Sequence, residues 1–310
     1  MRLDEWRSHG QFFPFESYQI FFKEAGQGEP LLLLHAYPTA SWGFHKIWLP
    51  LTQHFRVITL DLLGSGFSSK PRGKVYSVAR LADIAEALLA RLEVNRLHLL
   101  AHAYGGTTGQ ELLARQLHRQ QSGSSPGTEA FPKILSACFI NSGLFPEGTK
   151  PTRTQKLLLT PVGPLLTQLM PAPYRVFCSR LRQNFGPHTQ PSEQELATIW
   201  QLLTWEEGQR VVPYVLAYLK ERERLRDRWV GALQHSPIPL GLINGAADPV
   251  AGERVPQIWR SLLPTASCIE LSPTIGHYPP LEDPDAVVAA YLAFIAASVG
   301  RSGESSTLRT

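Results

Sequence analysis

Short, nearly continuous apolar runs recur along the chain at 30–36 (PLLLLHA), 55–61 (FRVITLD), 96–101 (RLHLLA), 134–140 (ILSACFI) and 238–243 (IPLGLI), each ending in or near Gly, Asp, Asn or His. Runs of this length without alternation suit strands covered on both faces, as in a parallel sheet. Between them the period changes to that of a helix: at 77–93, where Val78, Leu81, Ile84, Leu88 and Leu92 share a face, at 104–120 and at 252–263. Alternating strands and helices predict an α/β class with a mostly parallel central sheet flanked by helices. The stretch 18–23 predicts an antiparallel edge strand, 267–272 a further strand, and 283–299 a closing amphipathic helix.

The alternation stops between about 145 and 234, where helical stretches, several prolines and large aromatics (Tyr174, Phe177, Phe185, Trp200, Trp205, Tyr214, Tyr218, Trp229) replace it. An insertion of that length between two sheet strands predicts a helical cap. The expected division is a core of 1–148 and 236–299, a cap of 149–235, and a flexible polar tail of 300–310. Residues 120–128 (QQSGSSPGT) predict a flexible surface loop, and no internal repeat is visible.

A chain of 310 residues is long enough for a sizeable core, with about 75% of the unfolded surface removed from water. Thirty Lys and Arg stand against 26 Asp and Glu. The richest basic stretch, 220–228 (KERERLRDR), interleaves Glu221, Glu223 and Asp227 and reads as a solvated helical face, which argues against a nucleic-acid partner. The three cysteines, Cys138, Cys178 and Cys268, lie far apart with no CxxC pair and read as buried free thiols in a reducing compartment. The N-terminal MRLDEWRSHG has no apolar core, and the longest apolar run, 286–299, is too short to span a bilayer. The expectation is a cytoplasmic protein, monomer or homodimer, with no membrane partner.

The chemistry gathers at strand ends. Ala101-His102-Ala103-Tyr104-Gly105 has the small-x-nucleophile-x-small form of an elbow, a sharp strand-to-helix turn that lifts its central side chain above the sheet. That central residue is Ala103, whose methyl group cannot attack anything. The other two members of a nucleophile–acid–base triad follow in the expected order: Asp248 after the 238–243 strand and His277 after the 267–272 strand. In such a site Asp248 orients His277 and stabilises its imidazolium, and His277 is the general base. A backbone N–H of Ala36 or Tyr37, with that of Tyr104, is the expected oxyanion hole. His35 and His102 are expected as structural hydrogen-bonders. The turn at Asp61, Gly64, Gly66 and Ser68 lacks the third glycine of a dinucleotide fingerprint, because Ser69 stands there. The ten histidines show no HExxH or paired-ligand spacing, so no metal and no cofactor is expected.

These motifs resemble the α/β-hydrolase superfamily, and more narrowly the mesoderm-specific transcript family, close to epoxide hydrolases and haloalkane dehalogenases. The resemblance runs from about residue 18 to 295 and is carried by 35–41 (HAYPTAS), 61–71 (DLLGSGFSSKP), 110–113 (QELL), 228–233 (RWVGAL), 248–250 (DPV), 277–279 (HYP) and 281–284 (LEDP). It implies an α/β-hydrolase fold with a helical cap, Asp248 and His277 as acid and base, and a nucleophile at position 103, where the family carries Asp in an HDYG context. Three positions depart from that pattern: Ala103 removes the nucleophile, Ala36 replaces a glycine of the oxyanion turn, and Gly106 stands where the family tends to carry Asp. The sequence AYGG also resembles the HSYGG elbow of serine hydrolases, so Asp and Ser both stay open as the parent residue. Dehalogenation is disfavoured, since the halide-binding Asn and Trp of that branch fall on Tyr37 and Tyr104. Epoxide opening is kept open by the cap tyrosines Tyr174, Tyr214 and Tyr218, whose counterparts in that branch protonate the leaving alkoxide.

The preferred reading is a hydrolase of small to medium, largely apolar substrates, epoxides or esters, with Ala103 an inactivating substitution. Two others stay open: a nucleophile-free His277–Asp248 general-base enzyme (lyase, isomerase or cofactor-free oxygenase), and a non-catalytic ligand-binding relative. Candidates for the substrate pocket are Trp42, Asn141, Tyr174, Tyr214, Tyr218 and Tyr278.

Overall fold

The computed structural model describes residues 1–73, 76–122 and 131–307, with side chains described to residue 298. Among these residues eight strands form one sheet: β1 (Gln11–Phe15), β2 (Tyr18–Ala25), β3 (Pro30–Leu34), β4 (Arg56–Leu60), β5 (Arg96–His102), β6 (Lys133–Ile140), β7 (Leu240–Asn244) and β8 (Ser267–Glu270), in the order β1-β2-β4-β3-β5-β6-β7-β8. From β4 across to β8 every pair is parallel, whereas β2 runs antiparallel to both β1 and β4. The α/β class read from the apolar runs is the class observed.

Strand alternation divides the core in two. Leu32 and Leu34 of β3 face one apolar cluster with Leu97, Leu99 and Phe139, and Leu31 and Leu33 face the other with Leu100, Ile140 and Ile243. All four leucines of β3 have no exposed surface. A strand that must satisfy two cores has no polar side, which is why these runs do not alternate. Helices α1 (Leu3–Ser8), α2 (His45–Thr52), α3 (Val78–Arg91) and α4 (Tyr104–Gln121) lie among the early strands. The Ser77 hydroxyl accepts from the Arg80 N–H at the start of α3, an N-cap that fixes where that helix begins.

Three expectations need correction. The 18–23 stretch is antiparallel but is not the edge: β1 lies outside it, paired from Gln11↔Phe22 to Phe15↔Tyr18. β1 (QFFPF) carries Pro14 and no clean alternation, a pattern an edge strand tolerates and a sequence reading passes over. Of the three free cysteines only Cys138 is buried; Cys178 and Cys268 are half-buried, the latter on the terminal strand β8. The last helix continues beyond 299 to Thr307, so the expected tail is largely helical. Residues 123–128 of the predicted 120–128 loop, and residues 308–310, lie outside the described residues.

The connection from β6 to β7 carries α5 (Arg153–Leu158), α6 (Gly163–Leu169), α7 (Tyr174–Arg182), α8 (Glu193–Thr204), α9 (Val212–Val215), α10 (Tyr218–Arg224) and α11 (Arg226–Gln234). α11 returns to the body of the sheet: Trp229 donates its indole N–H to Glu111 of α4 at 2.7 Å, and Arg228 pairs with the same carboxylate. After β7 come α12 (Arg254–Leu262), β8, α13 (Pro279–Glu282) and α14 (Pro284–Thr307).

Candidate active site

Ala103 sits between the end of β5 and the start of α4 with φ 47° and ψ −103°. A non-glycine residue in that region carries strain of about 1–3 kcal/mol, which the neighbouring strands hold in place. The Ala103 N–H donates to Ile140 O at 3.1 Å and the Gly105 N–H to His35 O at 2.9 Å, fastening the turn on both sides. Small residues are required here: a Cβ on Gly105 would lie 2.3 Å from Leu34 O, and one on Gly106 2.3 Å from Ser142 Oγ. The second distance is a local reason for glycine at 106.

Asp248 and His277, 29 residues apart, meet across the ends of β7 and β8: the His277 Nδ1–H donates to Asp248 Oδ2 at 2.8 Å. The other polar contacts of Asp248 are also filled, by Asn141 Nδ2 at 3.0 Å and the Val250 N–H at 2.7 Å. Burial pushes the Asp248 carboxyl up, but the His277 charge, its hydrogen bond and those of Asn141 and Val250 outweigh it and hold the group below its ordinary range. Burial likewise pulls the His277 imidazole down, and the facing Asp248 carboxylate reverses this and raises it. With Nδ1 committed to Asp248, Nε2 is the nitrogen of His277 left for other partners.

A cavity of about 610 Å³ lies over the strand ends, and its wall includes Ala103, Tyr37, Tyr104, His277, Tyr278 and Tyr218. Most of the remaining wall comes from α5 to α9, among them Leu157, Leu166, Met170, Phe177, Trp200 and Leu216. Among the described residues the backbone N–H groups of Tyr37 and Tyr104 meet no protein acceptor. Ala36 is fully buried and away from the cavity, its carbonyl taken by His35 and Thr39. Of the two candidates in that turn, Tyr37 borders the cavity and Ala36 does not.

The pocket candidates separate in the same way. Tyr218 and Tyr278 line the cavity, with Tyr278 donating its hydroxyl to Tyr37 O at 3.2 Å. Trp42 instead stacks on His45 at 4.0 Å, Tyr214 stacks on Tyr76, and Tyr174 packs on Trp200 from the outside, 36% exposed. Asn141 is buried behind Asp248, joining it to Gly245 O and Gly276 O and accepting the Gly245 N–H. Its side chain positions the acid and leaves the cavity to others. An aromatic in an apolar segment gives no sign of which face it will present, so the placements of these three aromatics were beyond the sequence.

His35 and His102 are hydrogen-bonders in the frame. His35 bonds Ala36 O through Nδ1 and accepts the Leu62 N–H at Nε2, and His102 Nε2 donates to His277 O at 2.8 Å. Burial pulls the His102 pKa down to about 3, so it stays neutral. Asp61 accepts the N–H groups of Ser41 and Phe67 and ties two turns together.

Two contacts escaped the sequence reading. Glu282 accepts the N–H groups of Gly276 and Tyr278 on either side of His277, and also that of Gly186 and the Thr189 hydroxyl from the helical insertion. The His277 N–H itself donates to Asn184 O at 2.7 Å. The LEDP motif marked the first position, but nothing local marks the second. Among the described residues no group of three or more His, Cys, Asp or Glu could hold a metal ion, and no helix is long and apolar enough to cross a membrane.

Comparison with known proteins agrees with this frame. Residues 29–126 match the family model for the alpha/beta hydrolase fold. The mesoderm-specific transcript homolog protein of Bos taurus is 41% identical over 303 residues, covering 94% of this chain and 88% of the relative. LipZ of Mycobacterium tuberculosis, a hydrolase by name, is 34% identical over 292 residues, covering 94% of this chain and 97% of its own. Among solved structures, an alpha/beta hydrolase fold protein from Burkholderia ambifaria superposes with a TM-score of 0.73 at 21% identity, covering 91% of this chain and 97% of that one. A shared fold, a matching family model and end-to-end similarity at this level lead to one conclusion: the chain belongs to the α/β-hydrolase family, in the group of the mesoderm-specific transcript proteins.

Proposed function

We propose that the cavity is a triad-type hydrolase site whose nucleophile position is filled by Ala103, so that the chain as written has little or no hydrolytic turnover. One observation carries the reading: Ala103 keeps the strained elbow conformation, at φ 47°, over a complete Asp248–His277 pair. A turn that serves only to present a side chain is retained with nothing to present.

With Asp at 103, a carboxylate oxygen attacks an electrophilic carbon and the leaving atom departs with the bonding electrons; water deprotonated by His277 then cleaves the ester. Of the three tyrosines considered as proton donors to an alkoxide, Tyr218 borders the cavity. Burial raises its pKa, which keeps the proton in place until it is needed. With Ser at 103, His277 takes the hydroxyl proton during attack on an ester carbonyl, and the N–H groups of Tyr37 and Tyr104 receive the oxyanion. Both routes suit a largely apolar substrate of small to medium size, with the helices of the insertion acting as a cap.

The test compares the chain as written with Ala103→Asp and Ala103→Ser on aryl epoxides, haloalkanes and short p-nitrophenyl esters. Turnover in one substituted protein, on one substrate class, is the expected result. That rate should rise with pH through an apparent pKa above 6.5, because His277 acts as a base only when neutral and its pKa is raised beside Asp248. Silence in all three proteins overturns the hydrolase reading in favour of a ligand-binding protein. The largely buried acid–base pair, with His277 bordering the cavity, also favours a second reading, proton abstraction by His277 without a covalent intermediate. Turnover by the unsubstituted chain that vanishes in His277→Ala would establish it.

A further inference from the structure

Arg222 on α10 is 4% exposed, and among the described residues it forms no ion pair. Its Nη2 donates to Thr149 Oγ1 at 2.9 Å, and its Nε meets no acceptor. The neighbouring acids do not serve it: Glu221 turns away to accept the Val78 N–H at 3.2 Å, and Glu223 is exposed. Elsewhere even a half-buried guanidinium is paired, as that of Arg115 is with Glu86, Glu111 and Asp83. Removing a cation from water without a counter-charge is costly, so a buried unpaired one calls for a reason.

The same side chain is part of the cavity wall. Tyr218 lies between it and the elbow, its ring 5.8 Å from the Arg222 guanidinium carbon and 4.7 Å from the ring of Tyr104. Among apolar side chains the wall also carries the polar Gln155, Gln183, Asn184 and Gln209 and a second cation, Arg180, which unlike Arg222 is exposed. The segment that supplies much of the wall, 148–192, contains Lys150, Arg153, Lys156, Arg175, Arg180 and Arg182 and neither Asp nor Glu. A one-sign segment of this kind favours the approach of anions.

We propose that Arg222 is the anchor for a carboxylate or phosphate head group, so that the cavity takes an amphipathic anion whose apolar body extends past Tyr218 towards Ala103. A planar guanidinium with free N–H groups matches either oxyanion, and ligand binding supplies the counter-charge the fold omits. The proposal rests on the reading of this cavity as the substrate site and narrows its substrate class.

Binding is measured by calorimetry on the chain as written, which needs no turnover, with 4-phenylbutyrate, 3-phenylpropyl phosphate and the neutral 4-phenylbutan-1-ol. Both or either anion should bind at least about tenfold more tightly than the alcohol, and the tighter of the two names the head group. Arg222→Met should abolish that preference while leaving alcohol binding in place, and Arg222→Lys should keep part of it. If Arg222→Met does not fold, thermal shifts of the unsubstituted chain decide: the anions should raise Tm and the alcohol should not. Equal binding of anions and alcohol, no measurable anion binding at millimolar concentration, or a preference that survives Arg222→Met overturns the proposal. Hydrolysis of neutral substrates by an Ala103 variant without anion preference would defeat the anchor and leave the hydrolase reading standing. Anion preference without turnover in any variant would do the reverse.

Discussion

The strands under the cavity and the helices over it are made by different rules. β3 and β7 place every side chain but that of Pro30 in the interior, pinned from both faces. Across the cavity, α5 buries no residue and α6 buries only Gly163, while Leu157, Leu165, Leu169 and Met170 are between 50% and 71% exposed. α5 is defined by a capping box, in which Thr152 and Gln155 satisfy each other's backbone N–H groups, more than by burial. The candidate residues Ala103, Asp248 and His277 therefore stand in turns at the ends of buried strands, and much of the facing cavity wall on helices that bury little.

That contrast can be broken by experiment. Leu99→Ala, in the sheet at no exposure, should cost about 2–5 kcal/mol in denaturant unfolding; a cost near zero would mean the strands are not the rigid half. Glu282→Ala tests the seam between the halves, because it leaves the N–H groups of Gly186, Gly276 and Tyr278 without their acceptor. A loss of about 1–3 kcal/mol is expected, with the larger change in the mobility of the His277 loop as read by hydrogen exchange. Met170→Ala, at 71% exposure, should stay within about 0.5 kcal/mol and alter ligand affinity instead, since Met170 borders the cavity. A large loss of stability there would place the insertion with the core.

The same contrast explains what the sequence could tell. The strands and the residues at their ends were legible because burial on both faces leaves a one-dimensional trace, and the turns that follow three of these strands carry Ala103, Asp248 and His277 in chain order. Ala103, Asp248 and His277 come to one place by that logic. Trp42, Tyr174 and Tyr214 do not line the cavity, because the face an aromatic presents depends on neighbours distant in the chain. β1 was missed because Pro14 and a mixed pattern hide an edge strand. Arg222 was concealed in a stretch of alternating charge, 220–228, where one residue turns inward and its neighbours stay in water.

The seam at Asn184, Gly186 and Thr189 has a consequence for how such a molecule can be rebuilt. Its contacts to the His277 N–H and to Glu282 use two backbone groups and one hydroxyl. Backbone groups ask for a path, and at Gly186 for the absence of a side chain as well, since a Cβ there would lie 1.8 Å from Thr274 O. A foreign set of helices grafted between β6 and β7 would have to thread a glycine and a hydroxyl past the same two points and restore the contacts of Arg228 and Trp229 to Glu111. A graft that missed them would leave the His277 N–H and the Glu282 carboxylate without these partners.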